Sequence, residues 1–408
     1  MQTDIFELTK DIFWVGVNDY ELRNFDIIMT TEFGSSYNAY LIRGGEKTAL
    51  VDTVKAEFCS DYLAKLAKIA DIPTIDYLIV NHTEPDHSGS IINILEANPD
   101  ITIVASAPAL SNLREILNRP FKSLRATSDL KIDLGGRSVT FIMAPNLHWP
   151  DTMFSYVPEE EILFTCDFFG AHYAFEGVLA KNVPDADDYH RAFREYYDAI
   201  MSPFKPFVLK GLDKIKDLPI RYVATSHGPV VDETYQNEAV HHYRKWSEPK
   251  KPGKPLVIIP VASAYGYTKA MAAEIIRAIR DEFIGDIDIE EYDVVTSKVE
   301  KIVERIVQCD GFLIGSTTIL RDSVRPIWEI LASLNPEIDG HKVAGAFGSY
   351  GWSGEAVPLV TERLRQLKMK TVEGLKVRFK PSEEQLKDTY DFGKMFAKTL
   401  KENLGRRD

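Results

Sequence analysis

Cysteine is scarce in this 408-residue chain: Cys59, Cys166 and Cys309 stand far apart and form no C-x-x-C pair. That spacing argues against a disulfide framework and against a cysteine zinc site. Each of the three reads as a small buried apolar side chain. Long apolar runs are missing too. None approaches the ~20 residues a membrane span needs, so no membrane association is expected. Residues 1–10 have no basic start followed by an apolar core, and do not read as a secretory signal. Positive charge is in short supply: 48 Lys and Arg against 61 Asp and Glu leave −13. A nucleic-acid binder would normally show a basic face, and an anionic membrane surface repels such a chain. Together these absences predict a cytoplasmic protein of a reducing compartment. Its 45% hydrophobic share is ordinary for a chain that builds packed cores.

The length predicts two or three domains. Trp246 to Pro255 reads W-S-E-P-K-K-P-G-K-P, a composition that continues neither a helix nor a central strand. The expected organisation is a first domain over 1–247, a linker over 248–255 and a second domain over 256–402. In the first, short apolar runs at 77–80, 101–105, 139–144, 162–165 and 222–225 read as strands bounded by turn signals, with a helix over 60–70. In the second, strands at 256–260, 311–315 and 343–347 alternate with a helix over 268–282, whose apolar residues recur at helical spacing. Such alternation gives a parallel, doubly wound sheet, in which ligands bind beyond the carboxyl ends of the strands. The charged tail 401–408 is expected to fray.

The densest chemistry follows the strand 77–80: Asn81-His82-Thr83-Glu84-Pro85-Asp86-His87-Ser88-Gly89. His82, Glu84, Asp86 and His87 are four ionisable groups within six residues. Packed so tightly they repel or desolvate one another unless a cation neutralises them. His148, Asp167 and His227 each lie just past a later strand, where a sheet can deliver them to the same place. A lone histidine after a strand is usually an ordinary surface or core residue; the cluster is what makes these three candidates. Imidazole suits zinc, copper and iron, while carboxylates favour iron or manganese. A mononuclear zinc site needs only three or four protein ligands. Seven candidates suit two ions about 3.5 Å apart, which could hold a diatomic molecule between them.

A second constellation opens the C-terminal part. Ser263, Ala264, Tyr265, Gly266, Tyr267 and Thr268 connect a strand to a helix, where backbone N–H groups and the helix N-terminus can cradle a phosphate. Ser316, Thr317, Thr318 and Ile319 follow the next strand. Ser349, Tyr350, Gly351, Trp352 and Gly354 follow the third, with aromatic rings able to cover a planar ligand.

H-x-E-x-D-H resembles the H-x-H-x-D-H motif of the metallo-β-lactamase fold, with Glu84 where the zinc hydrolases carry a second histidine. That exchange, with the later His, Asp and His, resembles the flavodiiron proteins. The Ser263–Thr268 loop is similar to the flavodoxin phosphate loop, and F-G-S-Y-G-W-S-G to the third flavin loop of flavodiiron proteins. The resemblance spans residues 6–398. It implies an α/β chain in which a metallo-β-lactamase-like αββα sandwich precedes a flavodoxin-like doubly wound parallel sheet. It implies FMN and a di-iron centre: one iron on His82, Glu84 and His148, the other on Asp86, His87 and His227, with Asp167 bridging. In some family members the histidine at the position of His87 stays off the iron. His172 resembles a residue near the open coordination positions. The implied activity is reduction of O2 to water, of NO to N2O, or of both. Electrons would come through FMN from an external donor such as rubredoxin, a reduced deazaflavin or another flavoprotein, since no paired C-x-x-C extension is present. The implied assembly is a head-to-tail homodimer, or a dimer of such dimers. Asp26 stands where many relatives carry a histidine, Thr317 where many carry proline, and Leu320 where many carry the asparagine that contacts flavin. Two other readings compete: a zinc hydrolase with a flavodoxin-like appendage, and a flavin electron carrier whose first domain is only structural. Glu84 and the flavin loops weigh against the first, the converging ligands against the second.

Overall fold

The computed structural model describes residues 4–27, 29–248 and 253–405. It divides into two compact units, Met1–Pro249 and Lys250–Asp408. Residues 249–252 of the expected linker lie outside the described residues; the helix before it runs Gln236–Ser247. No described helix is long and apolar enough to cross a membrane.

The first unit stacks two sheets between two layers of helices. One sheet has seven strands, in the order Phe6–Thr9, Ile12–Trp14, Tyr40–Arg43, Thr48–Val51, Tyr77–Val80, Thr102–Ala105, Lys122–Arg125. The other has five: Lys131–Asp133, Ser138–Met143, Met153–Val157, Ile162–Cys166, Tyr222–Thr225. Residues along a strand alternate between faces, and here both faces are apolar. Ile79 joins the core between the sheets with Ile42, Phe141 and Phe164. Its neighbours Leu78 and Val80 pack outward against Tyr62 and Leu66 of the helix Cys59–Ile69. The second sheet is covered on its outer face by the helices Ala186–Tyr196, Lys205–Ile215 and Gln236–Ser247. Fully buried strands need no polar alternation, which is why their sequences read as short continuous apolar runs.

In the second unit the parallel strands Leu256–Val261, Asp288–Asp293, Gly311–Gly315, Val343–Tyr350 and Lys370–Thr371 lie in the order second, first, third, fourth, fifth. This is the doubly wound order whose ligand crevice opens beside the first strand. The helices Tyr267–Glu282 and Glu383–Leu404 cover one face, with Ile275, Ile279, Phe392 and Phe396 in its core. The tail expected to fray from residue 401 instead continues this last helix through Leu404. Leu400 is fully buried, and Lys401 donates to the carbonyl of Glu282. Residues 406–408 lie outside the described residues.

Candidate metal centre and flavin cleft

The loop after Tyr77–Val80 is held from beneath. Asp52 accepts from the Asn81 backbone N–H at 2.8 Å, and Thr53 donates through N–H and Oγ1 to the His87 carbonyl at 2.9 and 2.6 Å. Pro85 begins a one-turn helix, Pro85–Ser88, where its fixed φ suits the first helical position. That turn presents Asp86 and His87 on the side of His82 and Glu84. His227 arrives from the second sheet, followed by Gly228 at φ 72°, where a Cβ would sit 2.4 Å from the Ala171 carbonyl.

The seven candidates converge into two groups. In one, Glu84 Oε2 lies 3.1 Å from both His82 Nε2 and His148 Nε2. In the other, Asp86 Oδ2 lies 3.1 Å from His227 Nε2, and Asp86 Oδ1 lies 3.4 Å from His87 Nε2. Asp167 serves both: its Oδ2 is 3.0 Å from His148 Nε2 and its Oδ1 is 3.0 Å from His87 Nε2.

These groups fit a metal pair by a test independent of sequence. Among the described residues, both Asp86 oxygens, Asp167 Oδ1 and both His87 ring nitrogens are buried with no hydrogen-bond partner of acceptable geometry. Buried polar atoms are rarely left so, and cations between the groups would satisfy them. Electrostatics agree. Burial opposes charge on His82, but hydrogen bonds to Asp151 and Glu84 prevail and raise its pKa to about 10. Burial is likewise outweighed at His148 by Asp167 and Glu84, giving about 10, and at His87 by Asp86 and Asp167, giving about 9. Asp167 and Glu84, despite burial, are held well below the carboxylate range by these imidazoles. Without metal, protons on the rings do the neutralising.

Several supporting residues were not visible in the sequence. Asp151 accepts from Thr83 N–H and Oγ1 at 2.9 and 2.6 Å and lies 3.3 Å from His82 Nδ1. His227 Nδ1 lies 2.7 Å from the Ser36 carbonyl. Such contacts leave Nε2 free to face the site and fix the ring's orientation. Asp151→Asn is therefore expected to weaken metal binding about 10- to 100-fold, read by competition with a chelator; unchanged affinity would show that Asp151 does not orient the ring.

His172 stands beside the second group: its ring centroid is 5.2 Å from that of His227 and 4.9 Å from that of Tyr196. Its Nδ1 is 2.9 Å from Ser35 Oγ, and its Nε2 has no partner. Burial, ahead of the neighbouring His227 ring, pushes its pKa well below the usual value. It lines a cavity of about 540 Å³ with Tyr196, Glu195 and Glu32. Asp26 also reaches the site. Although Asp26 is exposed, partial desolvation of its carboxyl, and then the charges of Glu84 and Asp86, push it up to about 6.

In the second unit, the loops after three strands enclose a cleft of about 480 Å³. Ser263, Ala264, Tyr265, Tyr267, Thr268, Thr317, Thr318, Ile319, Ser349, Tyr350, Gly351 and Trp352 line it as expected. Three expected residues do not. Ser316 is buried and spends its hydroxyl on Thr317 O and Ser323 Oγ. Gly354 lies behind the Tyr350 ring, which a Cβ would approach to 2.8 Å. Gly266 shapes the loop from outside, capping the helix at φ 80°. Leu320, Arg321, Ser353, Glu355 and Phe379 also line the cleft; Phe379 comes from a loop after the strand Leu375–Arg378, where the sequence shows no glycine-bearing turn. The open backbone at a helix N-terminus and the exposed rings of Tyr265 and Trp352, at 84% and 90%, fit a phosphate-bearing planar cofactor.

Comparison with known proteins agrees with this architecture. A profile described as ODP family beta lactamase matches residues 36–228, and a flavodoxin profile matches residues 259–393. The flavo-diiron protein FprA2 of Clostridium acetobutylicum is 41% identical over 97% of this chain and 99% of its own. The chain belongs to the flavodiiron family. A nitric oxide reductase of Moorella thermoacetica is 35% identical to this flavodiiron chain over 96% of it and 97% of its own length. Among solved structures, the rubredoxin oxygen:oxidoreductase of Desulfovibrio gigas superposes with a TM-score of 0.68 at 27% identity, covering 98% of this chain and 100% of that one. The flavodiiron protein of Giardia intestinalis gives 0.67 at 27%, covering 99% and 98%.

Because Gly266 meets nothing within 4 Å of a built Cβ, replacing it tests conformation alone. Gly266→Ala is expected to strain the cradle by roughly 1–2 kcal/mol and to weaken FMN about 5- to 30-fold, leaving metal content unchanged. Fluorescence titration of the flavin reads this; unaltered FMN affinity would mean the left-handed turn is not needed for binding.

Proposed function

We propose that this flavodiiron chain reduces O2 to water, NO to N2O, or both, at a di-iron centre supplied with electrons through FMN. One observation carries the reading: the two oxygens of Asp167 face two separate ligand groups, an arrangement a single-metal hydrolase has no use for. Glu84 between His82 and His148 gives the first position a hard anionic donor where the zinc enzymes of this fold carry a histidine, and so favours iron.

His82, Glu84 and His148 would hold one iron; Asp86, His87 and His227 the other; Asp167 would bridge. The unpartnered nitrogens of His87 support its place in the second set. Bound iron supplies binding and reduction of the gas, and bound FMN collects the electrons. The chain's own residues do the rest. Asp151 and the Ser36 carbonyl lock ring orientation. Phe25, its ring centroid 4.4 Å from that of His172, packs against that ring and holds its orientation. His172 presents Nε2, and Asp26 a carboxyl, from which protons or hydrogen bonds can be offered to a bound gas.

We further propose a first domain over 1–247 for the gas chemistry, a flavin domain over 256–402, a cytoplasmic location, an external rubredoxin-type donor and a head-to-tail homodimer. The name of the Desulfovibrio gigas relative supports the donor class.

The test is metal and flavin content of protein purified without added metal. About two irons and one FMN per chain are expected, followed by O2 and NO consumption with reduced rubredoxin. Zinc without iron would overturn the proposal and favour the hydrolase.

A further inference from the structure

Beyond the seven candidate ligands, a sulfur donor also stands at the metal centre among the described residues. Cys166 precedes Asp167, and neighbours on a regular strand face opposite sides of the sheet. Here the strand is irregular. Its pairing with Tyr222–Thr225 shifts register between Phe164 and Cys166, and Cys166 adopts φ 51°. Such a bulge re-aims side chains. The result is that donor atoms of His87, Cys166 and Asp167 all lie within 4.8 Å of one another. Cys166 and Asp167 are each 1% exposed and His87 not at all. Neither ring nitrogen of His87 has a hydrogen-bond partner of acceptable geometry, although Nε2 is in ion-pair contact with Asp167, so a buried imidazole is aimed into the same small space as the sulfur.

We propose that Cys166 is a latent thiolate donor, with which His87 and Asp167 capture a thiophilic divalent ion, zinc or cadmium, in place of iron at the second metal position. The proposal rests on the two-metal reading above. On capture the S–H bond breaks as the S–metal bond forms, and the proton passes to solvent. His87 likewise releases its ring proton to solvent as it contributes a lone pair, and Asp167 contributes one oxygen; no electron moves. Thiolate selects softer ions, whereas the imidazole and carboxylate donors around it also suit iron. The same pocket therefore offers two donor sets, and the sulfur decides which ions compete with iron. Zinc excess would close the second position to the reaction while leaving the first loaded.

The experiment uses full-length protein stripped with a chelator and titrated with cobalt(II) alone. Cobalt among imidazoles and carboxylates gives visible ligand-field bands, and a thiolate ligand adds an intense near-ultraviolet charge-transfer band. Both are expected in the unsubstituted protein and in the Cys59→Ser/Cys309→Ser double variant. Cys166→Ser should lose the near-ultraviolet band and keep the visible ones. Visible bands without charge transfer in the unsubstituted protein would overturn the proposal and leave the two-metal reading standing. No cobalt bands at all would overturn the two-metal reading itself, and this proposal with it. A second measurement needs no substitution at the buried bulge: X-ray absorption of the zinc-loaded, unsubstituted protein should show sulfur at about 2.3 Å. A shell of nitrogen and oxygen alone overturns the proposal.

Discussion

Replacing Asp167 with asparagine should strip both metals from the protein, not one. Its two oxygens stand 3.0 Å from His148 Nε2 and 3.0 Å from His87 Nε2, so each ligand group depends on it. Asparagine keeps the shape but offers one neutral acceptor and an NH2 that cannot ligate. Each position then loses a negative charge as well as a donor. Asp86→Asn is the control, because among the described residues the ion pairs of Asp86 are with His87 and His227, both in one group. After dialysis, elemental analysis should find well under one metal per chain in Asp167→Asn and about one in Asp86→Asn, against about two in the unsubstituted protein. Gas-reducing turnover in Asp167→Asn should fall by more than the about 100-fold that loss of a supporting contact produces. An Asp167→Asn protein that retains one metal would show that the carboxylate belongs to a single position.

The second large effect is that of pH on loading. In the empty protein His82 and His148 hold their protons up to about 10 and His87 to about 9, because the carboxylates around them outweigh burial. A metal must expel those protons. Affinity at neutral pH is therefore expected to fall steeply on acidification, by about tenfold per pH unit for each proton released. Calorimetry in two buffers of different ionisation enthalpy counts the protons; heats independent of buffer would refute the linkage. Folding of the empty protein responds in the opposite sense. Raised imidazole values stabilise the fold fully below the unfolded value near about 6.5, and that stabilisation is lost as pH rises through about 9 to 10. Chelator-stripped protein should then lose thermal stability across this alkaline range, while loaded protein, whose rings have already given up the proton that titrates there, should not.

The seven metal candidates were legible because a sheet advertises its site. Each follows a short apolar run, and the turn after a buried strand is where polar residues must gather. The flavin loops were legible for the same reason. What the sequence hid was geometry that breaks the strand rule. Alternation turns Cys166 away from the centre, and only the bulge reverses it. Asp52, Asp151 and Ser35 carry no local pattern, since a supporting carboxylate looks like any other until its partner is folded against it. The strand Asp288–Asp293, D-I-E-E-Y-D, was missed because its charge outweighs its propensity. Among the described residues it pairs along one side only, with Leu256–Val261.

That acidic strand bears on how the protein keeps company with itself. The free side of an edge strand is a template for another chain, and six residues are enough to seed a ladder. Here Asp288, Glu291 and Asp293 stand exposed, so two copies meeting edge to edge would bring rows of negative charge together. The protection is electrostatic, and it fades when salt shortens the reach of those charges, from about 10 Å at 0.1 M to about 3 Å at 1 M. A concentrated stock should therefore remain clear in dilute buffer and grow turbid with added salt, and charge-neutralising changes on this strand should bring that clouding forward.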